Sequence, residues 1–222
     1  MKLLLTIALI FACGISQADE ISLGVETDIM LEREYNLENV GEIEIESQTY
    51  TLTPTYALKE VAIIGKVGVC NASTDIGGIA IDTSPGLAIG LGAEGKIIDL
   101  NEDMALYGVA SYLHKNLEIN EVAGQKFPLR NDVDLHEWEL GVMMDCDILP
   151  LDIPLVPYAG LVWNISYGSV EDTLGNSVDL DADTNIGLRL GLKSDINEDW
   201  SAKISGKLID QEAIVISGKY VF

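Results

Sequence analysis

The sequence predicts an all-β chain: a transmembrane, antiparallel, up-and-down β-barrel of ten strands. Three observations carry that expectation. Apolar residues recur at every second position in ten successive segments. The mean hydropathy is high at +0.23, yet beyond residue 18 no apolar run approaches the roughly 20 residues a membrane helix needs. The connections between segments alternate between short and long. Hydrophobicity spread in this way suits a lipid-facing barrel, whose tilted strands of about ten residues turn alternate side chains outward.

The first segment sets Ile21, Leu23, Val25, Ile29 and Leu31 against Ser22, Gly24, Glu26 and Asp28. In the second, Tyr50, Leu52, Tyr56 and Leu58 oppose Thr49, Thr51, Thr53 and Thr55, and a Lys59-Glu60 turn leads to the third, where Val61, Ile63, Val67 and Val69 oppose Lys66, Gly68 and Cys70. The fourth alternates Leu87, Ile89, Leu91, Ala93 and Ile97 with Ala88, Gly90, Gly92, Glu94 and Lys96, then turns at Asn101-Glu102-Asp103. The fifth, near 104–116, is apolar in both parities; turning Gly108, Ala110, Tyr112 and His114 inward places Tyr107, Val109 and Leu113 outside. The sixth sets Trp138, Leu140, Val142 and Met144 against Glu137, Glu139, Gly141 and Asp145 until the link from Pro150 to Pro157, because proline cannot join a sheet ladder.

The seventh segment runs from Pro157 to Gly168. The eighth opposes Ile186, Leu188, Leu190 and Leu192 to Gly187, Arg189, Gly191 and Lys193, and the ninth opposes Trp200, Ala202, Ile204 and Leu208 to Ser201, Lys203, Ser205 and Lys207. The tenth carries Ile214, Ile216, Tyr220 and Phe222 on one face, Ser217 and Lys219 on the other. Long connections fall near 32–48, 71–86, 117–136 and 168–184, and short ones at 59–60, 99–103, 149–156 and 195–199. An eight-strand count is the alternative.

Charge excludes one class of partner. Thirteen Lys plus Arg against 36 Asp plus Glu give a net charge of −23, which repels nucleic acid. Residues 1–18 read as a secretory signal, with Lys2 as the charged start, an apolar run from Leu3 to Ala12, and Ser16-Gln17-Ala18 as the cleavage site. Cys13 offers a competing lipoprotein signal, which the bulky Phe11 fits poorly. The rest, 19–222, forms one barrel domain.

The tenth segment, Ala213-Ile214-Val215-Ile216-Ser217-Gly218-Lys219-Tyr220-Val221-Phe222, resembles the closing strand of the small Gram-negative outer-membrane β-barrels, the OmpA/OmpX-like and porin-family proteins. The resemblance covers the whole mature chain as a pattern. It implies an outer-membrane location reached through the periplasm, with both termini and the short turns on the periplasmic side. It also implies that Tyr220 and Phe222 form the signal read by the barrel-assembly machinery. Outer-membrane lipid and lipopolysaccharide are then expected neighbours of a monomer. Tyr50 and Trp138 would mark the outer aromatic girdle, and Tyr56, Trp200, Tyr220 and Phe222 the inner one.

Parity sends a charge network into the lumen: Lys66, Lys96, Arg189, Lys193, Lys203, Lys207 and Lys219 face Glu26, Asp28, Glu94, Glu137, Glu139 and Asp145. A barrel of this size has an interior that side chains can fill. The network predicts a salt-bridged plug, with a narrow channel as the alternative. Uncompensated acid, including Glu32, Glu34, Glu38, Glu42, Glu44, Glu46, Asp179, Asp181 and Asp183, falls in the long connections. Any current would therefore prefer cations.

Asp134-Leu135-His136 has the Asp-x-His spacing of the omptin proteases, but no Asp-x-Asp lies in 71–86 to supply the opposing acidic pair. Asp179-x-Asp181-x-Asp183-x-Asn185 begins like a calcium loop but has Thr184 and Leu190 where such a loop needs Gly and an acid. No catalytic residue, metal site or cofactor is expected. Cys70 and Cys146, at opposite ends of the barrel, should not pair. The leading functional expectation is a structural or surface-interaction scaffold meeting an unidentified extracellular ligand. A narrow cation-preferring, porin-like channel for small solutes is second and an outer-membrane hydrolase a distant third.

Overall fold

The computed structural model describes residues 20–37, 41–146, 155–171, 176–182 and 186–222. Residues 1–18, expected to be a signal, together with Glu38, Asp183 and most of the proline-rich link, lie outside the described residues. The strands are β1 (Glu20–Glu32), β2 (Glu34–Leu37), β3 (Gly41–Leu58), β4 (Val61–Ile76), β5 (Ile79–Asn101), β6 (Met104–Val122), β7 (Gln125–Cys146), β8 (Leu155–Glu171), β9 (Ser177–Ala182), β10 (Ile186–Asp195), β11 (Trp200–Leu208) and β12 (Glu212–Val221). Ten of them close an antiparallel barrel, because β1 pairs with β12 on one side and with β3 on the other. The short β2 and β9 stand outside that ring.

These two strands change the strand count along the axis. After β1, the backbone of Arg33 exchanges two hydrogen bonds with Ile45, and the chain continues as β2 alongside β3. Strand β9 pairs with β2 on one edge and with β8 on the other. A second ring therefore closes as β2-β3-β4-β5-β6-β7-β8-β9, eight strands beyond the ends of β10, β11 and β12. Ten strands and eight both describe the wall, at different heights. The end carrying both termini is called the terminal end below, and the eight-stranded end the distal end.

The wall's outer surface is a broad apolar band. Val25 is 59% exposed, Leu161 63% and Ile186 64%. Large apolar side chains exposed around the whole wall form the band that lipid covers in a membrane barrel. The same strands switch which face is apolar once they leave the band. On β3, Tyr50 and Leu52 point out while Thr49 and Thr51 are buried; a few residues earlier Glu42, Glu44 and Glu46 point out while Ile43 and Ile45 are buried.

Two expectations are corrected here. The segments near 32–48, 71–86, 117–136 and 168–184 are largely strand, because two-residue turns with positive φ at Gly77-Gly78 (62° and 85°) and Ala123-Gly124 (53° and 71°) fold two of them into hairpins. The parity of the fifth segment is also reversed. Tyr112 lies opposite Leu91 and His114 opposite Ile89, so Gly108, Ala110, Tyr112 and His114 face lipid, while Tyr107, Val109 and Leu113 face the lumen. The physical reason is Lys115: this parity turns its ammonium inward onto Glu137 rather than into lipid.

Candidate functional site

The lumen has three layers, and the distal one is apolar. Tyr35 and Leu37 of β2, Ile43 and Ile45 of β3, Leu117 of β6, Val133 and Leu135 of β7 and Leu180 of β9 form a buried cluster inside the eight-stranded ring. The hydroxyl of Tyr35, itself fully buried, meets the Ser166 hydroxyl at 2.8 Å. These side chains pack against one another as in a domain core.

The middle layer is a belt of ion pairs. Lys66 meets Glu26 at 2.6 Å, Lys115 meets Glu137 at 2.8 Å, and Lys207 bridges Asp28 at 3.2 Å and Glu139 at 3.3 Å. Arg189 completes it on Glu139 at 2.8 Å and reaches the Ser205 hydroxyl. Four carboxylates thus face four cations, drawn from opposite walls. Each charge has its counter-charge in a space where an unpaired one would be costly, so removing one partner costs more than removing both. The cavity within the belt is about 40 Å³. That volume suits only a few waters.

The third layer is a chamber of about 360 Å³ at the terminal end. Lys193 bonds Asp145 and lies 5.2 Å from the Tyr107 ring centre; Lys203 lies 3.6 Å from Glu94 and 4.8 Å from the Tyr158 ring centre. Lys219 pairs with Glu20 at 3.3 Å. The structure thus brings together every residue of the expected network except Lys96. Lys96 lies opposite Tyr107 with the expected parity, but it pairs with Asp99, just past the bulge between Lys96 and Ile98, at 3.0 Å near the terminal end.

Sequence reasoning missed Lys115, because the parity of its strand was inverted. It also missed the tip between β11 and β12. Asp210 and Gln211 are buried there; Gln211 accepts a hydrogen bond from Arg33, also buried, and Asp210 accepts one from Asn164. Gly187 makes room for this: a Cβ there would stand 2.0 Å from Asp210 Oδ1. Nothing in the local sequence marks a turn that tucks inward.

At the terminal end, Phe222 donates its backbone N–H to the Ile21 carbonyl, and the ring of Tyr220 packs tilted against Trp200 and edge-to-face against Phe222, each at 5.1 Å between centres. Asp134 does not orient His136. Both lie on the lipid-facing side, where Asp134 meets His114 instead. Cys70 and Cys146 are free thiols. Among the described residues no three His, Cys, Asp or Glu side chains converge as a metal-binding group.

No family model matches the chain, and no curated protein matches it. Solved structures do. The translocator domain of the autotransporter NalP from Neisseria meningitidis superposes with a TM-score of 0.51 at 13% identity, over 98% of this chain and 95% of that one. The fold is that of the outer-membrane β-barrels. The outer-membrane protease OmpT from Escherichia coli matches with the same TM-score, 0.51, at 7% identity over 92% of this chain and 97% of that one. The attachment invasion locus protein Ail of Yersinia pestis matches at 0.43 and 10% identity, covering 91% and 98%. Identities this low speak to the barrel fold and not to an activity.

Proposed function

We propose that this chain is an outer-membrane structural and surface-interaction barrel, without catalysis or conductance, that carries an acidic face into the medium. The observation that supports it most is the apolar core inside the distal ring, stacked on a charge-balanced belt. The distal end would be extracellular. The outward carboxylates of Glu32, Glu34, Glu42, Glu44, Glu46, Asp179 and Asp181 would then meet an extracellular ligand on a rigid sheet. The terminal end, with Tyr220 and Phe222, would be the part read by the barrel-assembly machinery in the periplasm. Outer-membrane lipid and lipopolysaccharide would surround a monomer. Planar-bilayer recording tests the reading: refolded barrel should give no unitary current, and resolved cation-selective steps would overturn it in favour of a narrow channel.

A further inference from the structure

The two histidines of the chain stand face to face on the outside of the wall. His114 on β6 and His136 on β7 are directly opposed, with Asn116 and Asp134 on the next outward rung and Tyr112 and Trp138 on the one before. Their Nδ1 atoms are 3.3 Å apart. Asp134 Oδ1 lies 3.5 Å from His114 Nε2 and accepts a hydrogen bond from Asn116 at 2.9 Å. The Tyr112 hydroxyl is 2.8 Å from His136 Nδ1.

From this geometry we infer a divalent transition-metal site on the outer wall, with His114 Nδ1 and His136 Nδ1 as its two imidazole ligands and Tyr112 Oη beside them. The placement of the three rings leads there. The Nε2 of His114 points to Asp134, which leaves the Nδ1 of that ring as the ligating nitrogen, facing the Nδ1 of His136. Without a metal, hydrogen bonds among the two Nδ1 atoms and the Tyr112 hydroxyl span that space; a cation that displaces the shared proton takes both nitrogen lone pairs. Distance agrees: metal–nitrogen bonds of about 2.0–2.1 Å place two ligands of a tetrahedral ion about 3.3 Å apart. A carboxylate holding the far nitrogen of a ligating histidine is the usual outer support of such sites, and makes Asp134 a positioning residue. Imidazole selects zinc, copper or nickel over calcium and magnesium. The net charge of −23 draws cations to the surface. An ion held by so few protein groups keeps exchangeable positions open toward the lipid headgroups.

The test uses full-length refolded barrel without an affinity tag, loaded with Cu²⁺ for electron paramagnetic resonance and titrated with Zn²⁺ by calorimetry. Wild type should bind one ion per barrel with nitrogen hyperfine structure. His114→Gln and His136→Gln should each lose that structure and weaken binding by at least about tenfold, and Asp134→Asn should weaken it about tenfold while keeping the nitrogen signal. Heat-modifiable gel mobility reports folding of each variant. The acidic surface supplies the control: Glu42→Gln/Glu44→Gln should leave the nitrogen signal intact. A wild-type spectrum with oxygen ligands only, or equal affinity in the His114→Gln/His136→Gln double variant, would overturn the site and assign the ion to surface carboxylates.

Discussion

Glu139 shows how much one side chain can hold in a neutral belt. Among the described residues, removing its charge by Glu139→Gln leaves Arg189 with no carboxylate within ion-pair distance and Lys207 with Asp28 alone, a loss on the order of 3 kcal/mol. The double change Glu139→Gln/Arg189→Met removes one charge of each sign, so it should recover much of that loss. Urea unfolding in lipid vesicles measures both; equal destabilisation by the single and double variants would mean that the belt is not coupled. Ile209 offers the opposite sign. It is a β-branched residue at φ 86° and 72% exposed, so Ile209→Gly should relieve strain and raise stability by about 1 kcal/mol. Most of the belt could be read from alternation alone, because an ionic side chain in a lipid-facing strand has one tolerable direction. Lys115 escapes that reading because turning Gly108, Ala110, Tyr112 and His114 inward sends Lys115 outward. In fact small residues line the lipid side there, and the single inward cation was the better guide.

At the level of strands, the unread part was the distal ring. Glu42-Ile43-Glu44-Ile45-Glu46 alternates as strictly as any membrane segment, but its apolar residues take the opposite parity from Tyr50 and Leu52 of the same strand. A strand that leaves lipid for water must exchange its faces, and that exchange resembles a loop when one apolar phase is sought throughout. Strand structure here has a measurable result: intact barrel should resist cleavage by a glutamate-specific protease at Glu42, Glu44 and Glu46, whereas rapid cutting there would mean a loose loop. Like charges also set a pH response. Glu44, with Glu212, Glu34 and Glu46, raises the Glu32 carboxyl above its ordinary pKa. A carboxyl raised on folding favours the folded state at pH below its unfolded value, and that contribution is lost as pH rises through the folded one. Hydrogen-exchange protection at the β1 end and β2, taken relative to the intrinsic exchange rate at each pH, should therefore rise on acidification from neutral pH, and Glu32→Gln should flatten that rise. At the other end, deleting Phe222 removes the last rung onto β1 and should lower the yield of folded barrel.

For the whole molecule, the described residues stack an apolar core at the distal end, an ion-pair belt and a chamber at the terminal end. The barrel wall can also be regarded as a cylindrical lattice of hydrogen bonds. In a crystal, a half-plane of atoms that stops inside the lattice leaves an edge dislocation, and distortion collects along the line where it stops. The β11–β12 hairpin is the corresponding half-plane: it takes part in the ten-stranded ring and is absent from the eight-stranded one. The positive φ at Ile209, the irregularity between Met30 and Glu32, and the inward Asp210 and Gln211 all lie at its tip. None of the pairings that close the distal ring belongs to that hairpin. Lengthening or shortening the hairpin by whole rungs would therefore move the dislocation along the axis, so one local length fixes both how deep the chamber reaches and how thick the apolar core above it is.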